Sequence, residues 1–297
     1  MSAVEPAARS YQCAAIGLRN PHITELMQTR PALPWLEIHS ENYLLATRTP
    51  RFQALLEARR DYDLSCHGVG LSIGSAAGLD RQHLAALRGL YDRLEPILIS
   101  EHLAWSSIDG HYFNDLLPLP YSNEALEAVC RNIDQAQEVL GRRLLIENPS
   151  RYLTLPDSDW PESAFLKEVT SRTGCGLLFD VNNLFVSAHN LQLDMAGYLW
   201  DLPIDTIGEI HVAGHRSRKL PRPDGTDETV LIDDHGGFVS PSVWGLLEGL
   251  LAMTGSLPVL VEWDNDIPPL SVLLAEAARA QGLIDAGSSR GQAIDAA

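Results

Sequence analysis

GLLFDVNN, residues 176–183, sets an apolar run of strand length directly against an acid and two amides. Such a run buries its apolar part in a core and delivers its polar end to an edge. The pattern recurs in AAIGL from Ala14, WLEIH from Trp35, DLSCHG from Asp63 and PILISEH from Pro96. It continues in RLLIEN from Arg143, TIGEIHVAGH from Thr206 and PVLVEWDND from Pro258. Between these runs lie stretches with helical apolar spacing, including RQHLAALRGLYDRL, SNEALEAVCRNIDQAQEVLG, ESAFLKEVTSRTG and SVWGLLEGLLAMTG. Ser122 is placed to cap a helix, Gly141 and Gly174 to stop helices, and Pro241 suits a first turn. Strand and helix alternating in this way specify a closed (β/α)8 barrel, the TIM-barrel fold. The G-x-G-x-x-G of an open dinucleotide-binding sheet does not follow the first strand.

A length of 297 residues with 45% hydrophobic content suits one such barrel, which runs to roughly 250 residues. The expectation is a single domain over 1–297, ordered from about residue 11 to 280. The first ten residues and the tail from Ala286 are expected to be flexible. The stretch RSRKLPRPDGTDET, residues 216–229, reads as a long loop. The net charge of −17 weighs against nucleic acid as a partner and is mainly a solubility feature. Cys13, Cys66, Cys130 and Cys175 form no C-x-x-C pair and read as reduced thiols. The N-terminus carries neither a basic nor an apolar targeting segment, and no apolar run reaches membrane-spanning length, so a cytoplasmic protein without a membrane partner is expected. GVGLSIGSAAG, after the third strand, has no P-loop Lys and reads as a tight turn.

Barrel strands converge at their C-terminal ends, where this sequence places polar residues almost without exception. The successive strands end in His39 and Glu41, His67, Glu101 and His102, Glu147, and Asp180 with Asn182 and Asn183. Then come Glu209, His211 and His215, the loop residues Asp233, Asp234 and His235, and finally Glu262 and Asp264. Any one of these is most simply a helix cap or a backbone partner. Together they repel and resist desolvation unless cations compensate them, which points to a multinuclear metal site. Imidazole, carboxylate and carboxamide without thiolate suit iron, manganese or zinc alike. His22 and His83, on or near helices, are expected to face solvent. Trp105, Trp263 and Tyr43 are expected to pack at the rim.

The motifs HSENY at His39, HGVGLSIGS at His67, SEHLAW at Ser100, NDLLPLPY at Asn114, IENPS at Ile146, DVNN at Asp180, EIHVAGH at Glu209 and VEWDND at Val261 stand in this order. Together they resemble the multinuclear non-heme iron-dependent oxidase family, which includes methanobactin- and bufferin-maturing enzymes. The bufferin-maturing branch is the nearer likeness. The resemblance extends from about Gly17 to Ala278 and implies a plan shared with endonuclease IV and xylose isomerase-like barrels. By it, His67, His102 and Glu147 would hold one metal ion. Glu147, Asp180, His211 and Glu262 would hold a second, and Asn183, Asp233 and His235 a third. Glu147, Asp180 and His211 would be nearest the chemistry. Asp234, where a small hydroxyl residue is expected in relatives, leaves the choice between Asp233 and Asp234 open. His39, Glu41, Asn42, Asn114, Asp115, His189 and His215 would face substrate or support the ligands.

What the resemblance implies is two or three iron ions in a mixed-valence Fe(II)/Fe(III) state, with O2 as co-substrate. The substrate would be a ribosomally synthesised precursor peptide whose Cys residues are oxidised to a heterocycle such as thiooxazole, or to oxazolone with thioamide. A partner protein would recognise the leader peptide. The fold alone also admits a divalent-metal sugar isomerase, a phosphodiesterase or a non-catalytic peptide-binding protein.

Overall fold

In the computed structural model, which describes residues 11–44, 49–108, 111–223 and 225–295, the eight apolar runs close into a parallel barrel. Its strands are β1 (Ala14–Gly17), β2 (Trp35–His39), β3 (Asp63–Gly68), β4 (Leu98–His102), β7 (Leu145–Glu147), β8 (Gly176–Asp180), β9 (Ile207–Ala213) and β12 (Val259–Glu262). β1 pairs with both β2 and β12, which closes the ring. The register aligns the polar ends: His39 stands opposite His67, His102 opposite Glu147, and Asp180 opposite His211.

Alternate residues of a strand share a face, so the barrel interior is built in layers. At the lower end Leu98, Leu145 and Leu178 form one apolar cluster, and Ala15, Trp35 and Leu260 another. Two residues further along their strands stand Ser100, Glu147, Asp180, Glu37 and Glu262. The larger apolar core lies outside the barrel, where Ile16, Ile38, Leu64, Ile99, Ile146, Phe179, Val212 and Val261 meet the helices.

The helices include α1 (Ile23–Thr29), α2 (Pro50–Ala58), α3 (Arg81–Leu94), α4 (Asn123–Leu140) and α5 (Glu162–Thr173). They end as their caps dictate: Ser122 accepts from the Ala125 amide, and Gly141 and Gly174 adopt φ of 66° and 68°. A helix of strong periodicity also fills the connection after β8: α6 (Val181–Leu191), followed by α7 (Met195–Asp201). The sequence reading gave no helix there. Pro241 opens α8 (Pro241–Thr254), and α9 begins at Leu270.

One expectation is corrected. The stretch 216–229, expected to be a loop, supplies most of an antiparallel hairpin, β10 (Arg216–Pro221) with β11 (Asp227–Ile232). α9 runs over Leu270–Asp295. The expected flexibility of the first ten residues falls outside the described residues. A second hairpin, β5 (Trp105–Ile108) with β6 (His111–Leu117), follows β4. Among the described residues no helix is long and apolar enough to cross a membrane. All four thiols are unpaired, and burial pushes Cys66 up strongly, Cys175 to about 12 and Cys130 to about 11, so these three are inert.

Candidate metal centre

His67 and His102, on β3 and β4, bring their Nε2 atoms within 3.4 Å of each other, and each lies 3.2 Å from Glu147 Oε2. Three ligands held at about 2.1 Å by a tetrahedral ion are spaced by about 3.4 Å, so the triangle has the dimensions of a coordination face. His102 Nδ1 lies 3.1 Å from the Gly68 carbonyl oxygen, which can only accept. Nδ1 therefore carries the proton, and Nε2 keeps its lone pair for the cluster. His67 Nδ1 is held by Ser100 Oγ at 2.8 Å.

Glu147, Asp180 and His211 form a second group whose ligand atoms lie within 4.8 Å of one another, and Asp180, His235 and Glu262 a third. Asp180 divides its oxygens between two tasks. Oδ1 accepts from the Asn183 amide at 2.6 Å and caps α6, whereas Oδ2 is buried without a partner. Asn148 grips the Asp180 backbone from both sides, at 2.9 and 3.0 Å. Asn183 donates to Glu147 Oε1 at 3.2 Å and keeps its own Oδ1 unpartnered. Asp233 Oδ1 accepts from Asn182 Nδ2 at 2.7 Å and lies 2.8 Å from His235 Nε2. Asp234 pairs instead with Arg216, and neither Asp233 nor Asp234 is among the described groups of three or more ligand atoms within 4.8 Å of one another. His235 has a φ of 46°, a left-handed conformation that non-glycine residues adopt at a cost, which its place in the cluster makes purposeful.

Glu147 Oε2, Asp180 Oδ2, Asn183 Oδ1, His211 Nδ1 and His235 Nε2 are all buried with no hydrogen-bond partner. Each unmet atom costs about 1–3 kcal/mol, and the close approaches among them are out of line for hydrogen bonds. Lone pairs gathered in this way fit a group of metal cations. The donor set fits iron, manganese or zinc.

The electrostatics agree. Burial works to raise the Glu147 carboxyl, yet the His102 and His67 imidazoles override it and hold Glu147 at about 2. Burial likewise disfavours charge on His67, but Glu147 raises it to about 9. Asp180 is raised well above the usual carboxylate range by burial and by the nearby charges of Glu147 and Asp233. Burial acts to raise Glu262, but His235, His211 and His39 bring it well below its usual value.

Several supporting residues had escaped the sequence reading. His211 Nε2 lies 3.1 Å from Glu37 Oε2, in a layer where Glu37 and Glu209 are both fully buried; this leaves Nδ1 facing Glu262 Oε2 at 3.3 Å. Arg19, just past β1, reaches Glu262 Oε1 at 3.0 Å, forms a short pair with Asp264, and lies 3.0 Å from His39 Nε2. His39 Nε2 thus sits between a guanidinium that only donates and Glu262 Oε1, which lies 3.2 Å away and accepts. Gly17 makes room for this guanidinium, as a Cβ there would lie 2.6 Å from Arg19 Nη1. An Arg at a strand end among so many acids was the available signal. Glu37 had one too, as a lone acid inside the buried run WLEIH.

The glycine-rich turn after β3 does cradle oxygens, but they are the protein's own. Val69 and Gly70 amides donate to Glu41 at 3.0 Å each, and the Leu71 amide to Glu101 at 3.0 Å. Gly68 is required because a Cβ would lie 2.5 Å from Glu101 Oε2. Burial, with Glu41 nearby, raises Glu101 to about 8. His83 is not turned to solvent: its Nε2 meets Glu41 Oε1 at 3.1 Å. His22 is buried and bonds the Pro268 carbonyl at 2.7 Å, a partner 246 residues away. Tyr43 and Trp263 are buried, Trp263 directly after Glu262 and against Phe238.

Above the cluster opens a cavity of about 920 Å³. His39, Glu41, Asn114 and Asp115 line it, as do His102, Asn183, Asp233, His235 and Glu262. His215 stands behind it, with Nδ1 at 2.7 Å from Asn182 Oδ1. Asn42 is exposed and outside the cavity lining, and His189 bonds the Thr229 carbonyl on the β10–β11 hairpin, so the structure does not bring these two to the mouth.

Residues 13–285 match a family model described as RiPP precursor modification enzyme MbnB/TglH/ChrH. A UPF0276 protein of Vibrio vulnificus is 48% identical over 271 residues, covering 91% of each chain. A UPF0276 protein of Bordetella parapertussis is 45% identical over 285 residues, covering 96% of this chain and 97% of its own length. Among solved structures, the 3-keto-D-glucoside 4-epimerase YcjR of E. coli is similar with a TM-score of 0.56 at 14% identity, covering 91% of this chain and 98% of that one. Endonuclease IV of Thermus thermophilus is similar with a TM-score of 0.51 at 15% identity, covering 94% of this chain and 99% of that one.

Proposed function

The chain belongs to the RiPP precursor modification enzyme family MbnB/TglH/ChrH, and from that premise we propose that it is a multinuclear iron oxidase that uses O2 to modify Cys residues of its precursor peptide. The observation that carries the reading is the set of buried, unpartnered lone pairs at the barrel mouth, opening into a cavity of about 920 Å³. We assign His67, His102 and Glu147 to one ion, and Glu147, Asp180, His211 and Glu262 to a second. Asn183, Asp233 and His235 would hold a third, and Glu147 would serve both the first and the second. When bound, a mixed-valence Fe(II)/Fe(III) group supplies a Lewis acid for a substrate thiolate and reducing electrons for O2.

The protein's own contribution is orientation and exclusion of water. Ser100 and the Gly68 carbonyl fix the two imidazoles that face Glu147, Glu37 fixes His211, and Arg19 holds Glu262. His39 and Glu41 present polar walls at which a peptide amide can be oriented, while Phe113, Tyr152 and Leu153 narrow the opening. The product we expect is a heterocycle of the thiooxazole or oxazolone–thioamide type, as in the bufferin- and methanobactin-maturing enzymes, with a separate protein delivering the leader peptide. A cytoplasmic setting accords with four unpaired thiols. Sugar epimerases share the barrel at low identity, a likeness of fold that carries no activity.

The test is to purify the protein anaerobically, determine its metal content, and co-express it with a Cys-containing precursor peptide. More than one iron per chain and an O2-dependent change in peptide mass that needs the Cys are expected. Stoichiometric zinc with an unchanged peptide mass overturns the reading.

A further inference from the structure

Asp233 belongs to the ligand set proposed for the third ion, yet it stands on no barrel strand and follows directly after β11. Connecting segments are more mobile than the elements they join, so holding a carboxylate there in one orientation needs partners. Helix α6 supplies them from both of its ends. At its C-terminal end the Asn190 carboxamide takes both main-chain groups of Leu231, donating to the carbonyl oxygen at 3.0 Å and accepting from the amide at 3.0 Å. His189 Nε2 lies 3.0 Å from the Thr229 carbonyl oxygen, so β11 is tied to α6 up to two residues before Asp233. At the N-terminal end of α6 the fully buried Asn182 donates from Nδ2 to Asp233 Oδ1 at 2.7 Å. The Tyr152 hydroxyl accepts from the Asp233 amide at 2.9 Å.

The direction of the Asn182 amide follows from its two neighbours. A carboxylate only accepts, so Asn182 presents its nitrogen to Asp233 and its oxygen to His215, whose Nδ1 lies 2.7 Å away. That oxygen also only accepts, so His215 Nδ1 carries a proton. Turning the amide over would set oxygen against carboxylate and N–H against N–H, exchanging two hydrogen bonds for two repulsions. The imidazole that sets this choice is seated on Phe185, with ring centroids 5.2 Å apart. The chain from His215 through Asn182 to Asp233 therefore has one polarity. It ends on an oxygen 2.8 Å from His235 Nε2, a buried atom without a hydrogen-bond partner. Ligands at right angles about an ion with bonds of about 2.1 Å stand about 3 Å apart, so this pair is spaced as neighbours on one ion.

We infer that Asn182, with its amide set by His215, is a positioning residue for the third ion: it aims Asp233 at that ion while the far end of α6 fixes the strand from which Asp233 departs. It acts through Asp233 and is itself no ligand. The third site is thereby separable from the other two, whose proposed ligands stand on barrel strands and not on the segment that Asn182 holds. The inference rests on the proposed place of Asp233 in the third ligand set, and not on the oxidase chemistry.

The probe is ferrous iron, titrated anaerobically into the metal-free, full-length protein, with bound iron per chain followed under competition by a chelator. The parent should take up three ions. Asn182→Leu and His215→Leu should each weaken the binding of one ion about 10–100-fold and leave the other two as in the parent. His215→Asn, whose amide nitrogen can stand where Nδ1 stood, should restore the third ion, a recovery that a packing role for the imidazole would not give. In the metal-free parent above about pH 7.5, where an ordinary histidine is neutral, nitrogen NMR shifts should place the His215 proton on Nδ1. Parent affinity for all three ions in Asn182→Leu, loss of all three together, or a proton on Nε2 overturns the inference. If Asn182→Leu loses its thermal transition, the two His215 variants decide, and equal iron binding by both overturns it. A parent that takes up only two ions also overturns it, and leaves the oxidase reading standing if the mass of the Cys-containing peptide still changes with O2. An unchanged peptide mass beside selective loss of one ion would do the reverse.

Discussion

Along β8, Leu178 meets Leu98 and Leu145 at the lower end of the barrel, while Asp180, two residues on and on the same face, meets Glu147 and His211 at the mouth. β7 makes the same change from Leu145 to Glu147, and β12 from Leu260 to Glu262. The lower layer is complete in itself, because its members need only one another's surface. The upper layer is incomplete, because its buried atoms lack partners. One end of the barrel therefore supplies stability and the other stores a demand for cations. Substitutions at the two ends should separate these properties.

The largest effect is expected from Glu147→Gln, which removes the shared carboxylate of two groups. Metal content and peptide modification should be lost, with a decline in metal affinity beyond the roughly 10–100-fold cost of losing a supporting residue. A variant that keeps its metal would break the contrast. Leu178→Ala should do the opposite, lowering stability by about 2–5 kcal/mol in urea titration while leaving the metal-to-chain ratio unchanged.

Arg19→Leu lies between the two, since the guanidinium touches Glu262 without belonging to any of the ligand groups. A loss of metal affinity of about 10–100-fold, read by chelator competition, is expected with little change in fold. The smallest effect sharpens the comparison by taking a buried acid remote from the mouth. Glu162 accepts from Tyr121 at 2.5 Å and from Tyr198 at 3.0 Å, and burial raises its carboxyl despite Arg151 and the two hydroxyls. A raised carboxyl contributes most below its unfolded value near pH 4.3 and loses that contribution as pH rises through the folded value. Glu162→Gln, which stays neutral, should therefore gain stability relative to the parent between about pH 4 and 7. Parallel melting curves over that range would show that Glu162 is not held protonated.

The barrel and its mouth were legible because both depend on local pattern: apolar runs of strand length, each closed by a polar residue. Asp180 illustrates why a single residue was ambiguous, since one of its oxygens caps α6 while the other is buried without a partner among the proposed ligands. The hairpins were hidden because β10 alternates charge on both faces and offers no apolar face to detect. Helix α6 was hidden beneath DVNN, whose polar residues drew the reading to the strand end and away from the periodicity of LFVSAHNL. His22 and Arg19 were misjudged or missed because their partners, Pro268 and Glu262, are brought near only by closure of the ring.

That closure has a consequence for how the protein is made. The proposed ligands come from β3, β4, β7, β8, β9 and β12 and the loop after β11. A slip of one residue between any two neighbouring strands would turn inner side chains outward. Such a slipped barrel could still bury apolar surface, but it could not gather these lone pairs at one point. Under the proposed ligand assignment, metal binding would stabilise the correctly registered barrel over slipped ones, because only the correct register offers the assembled site.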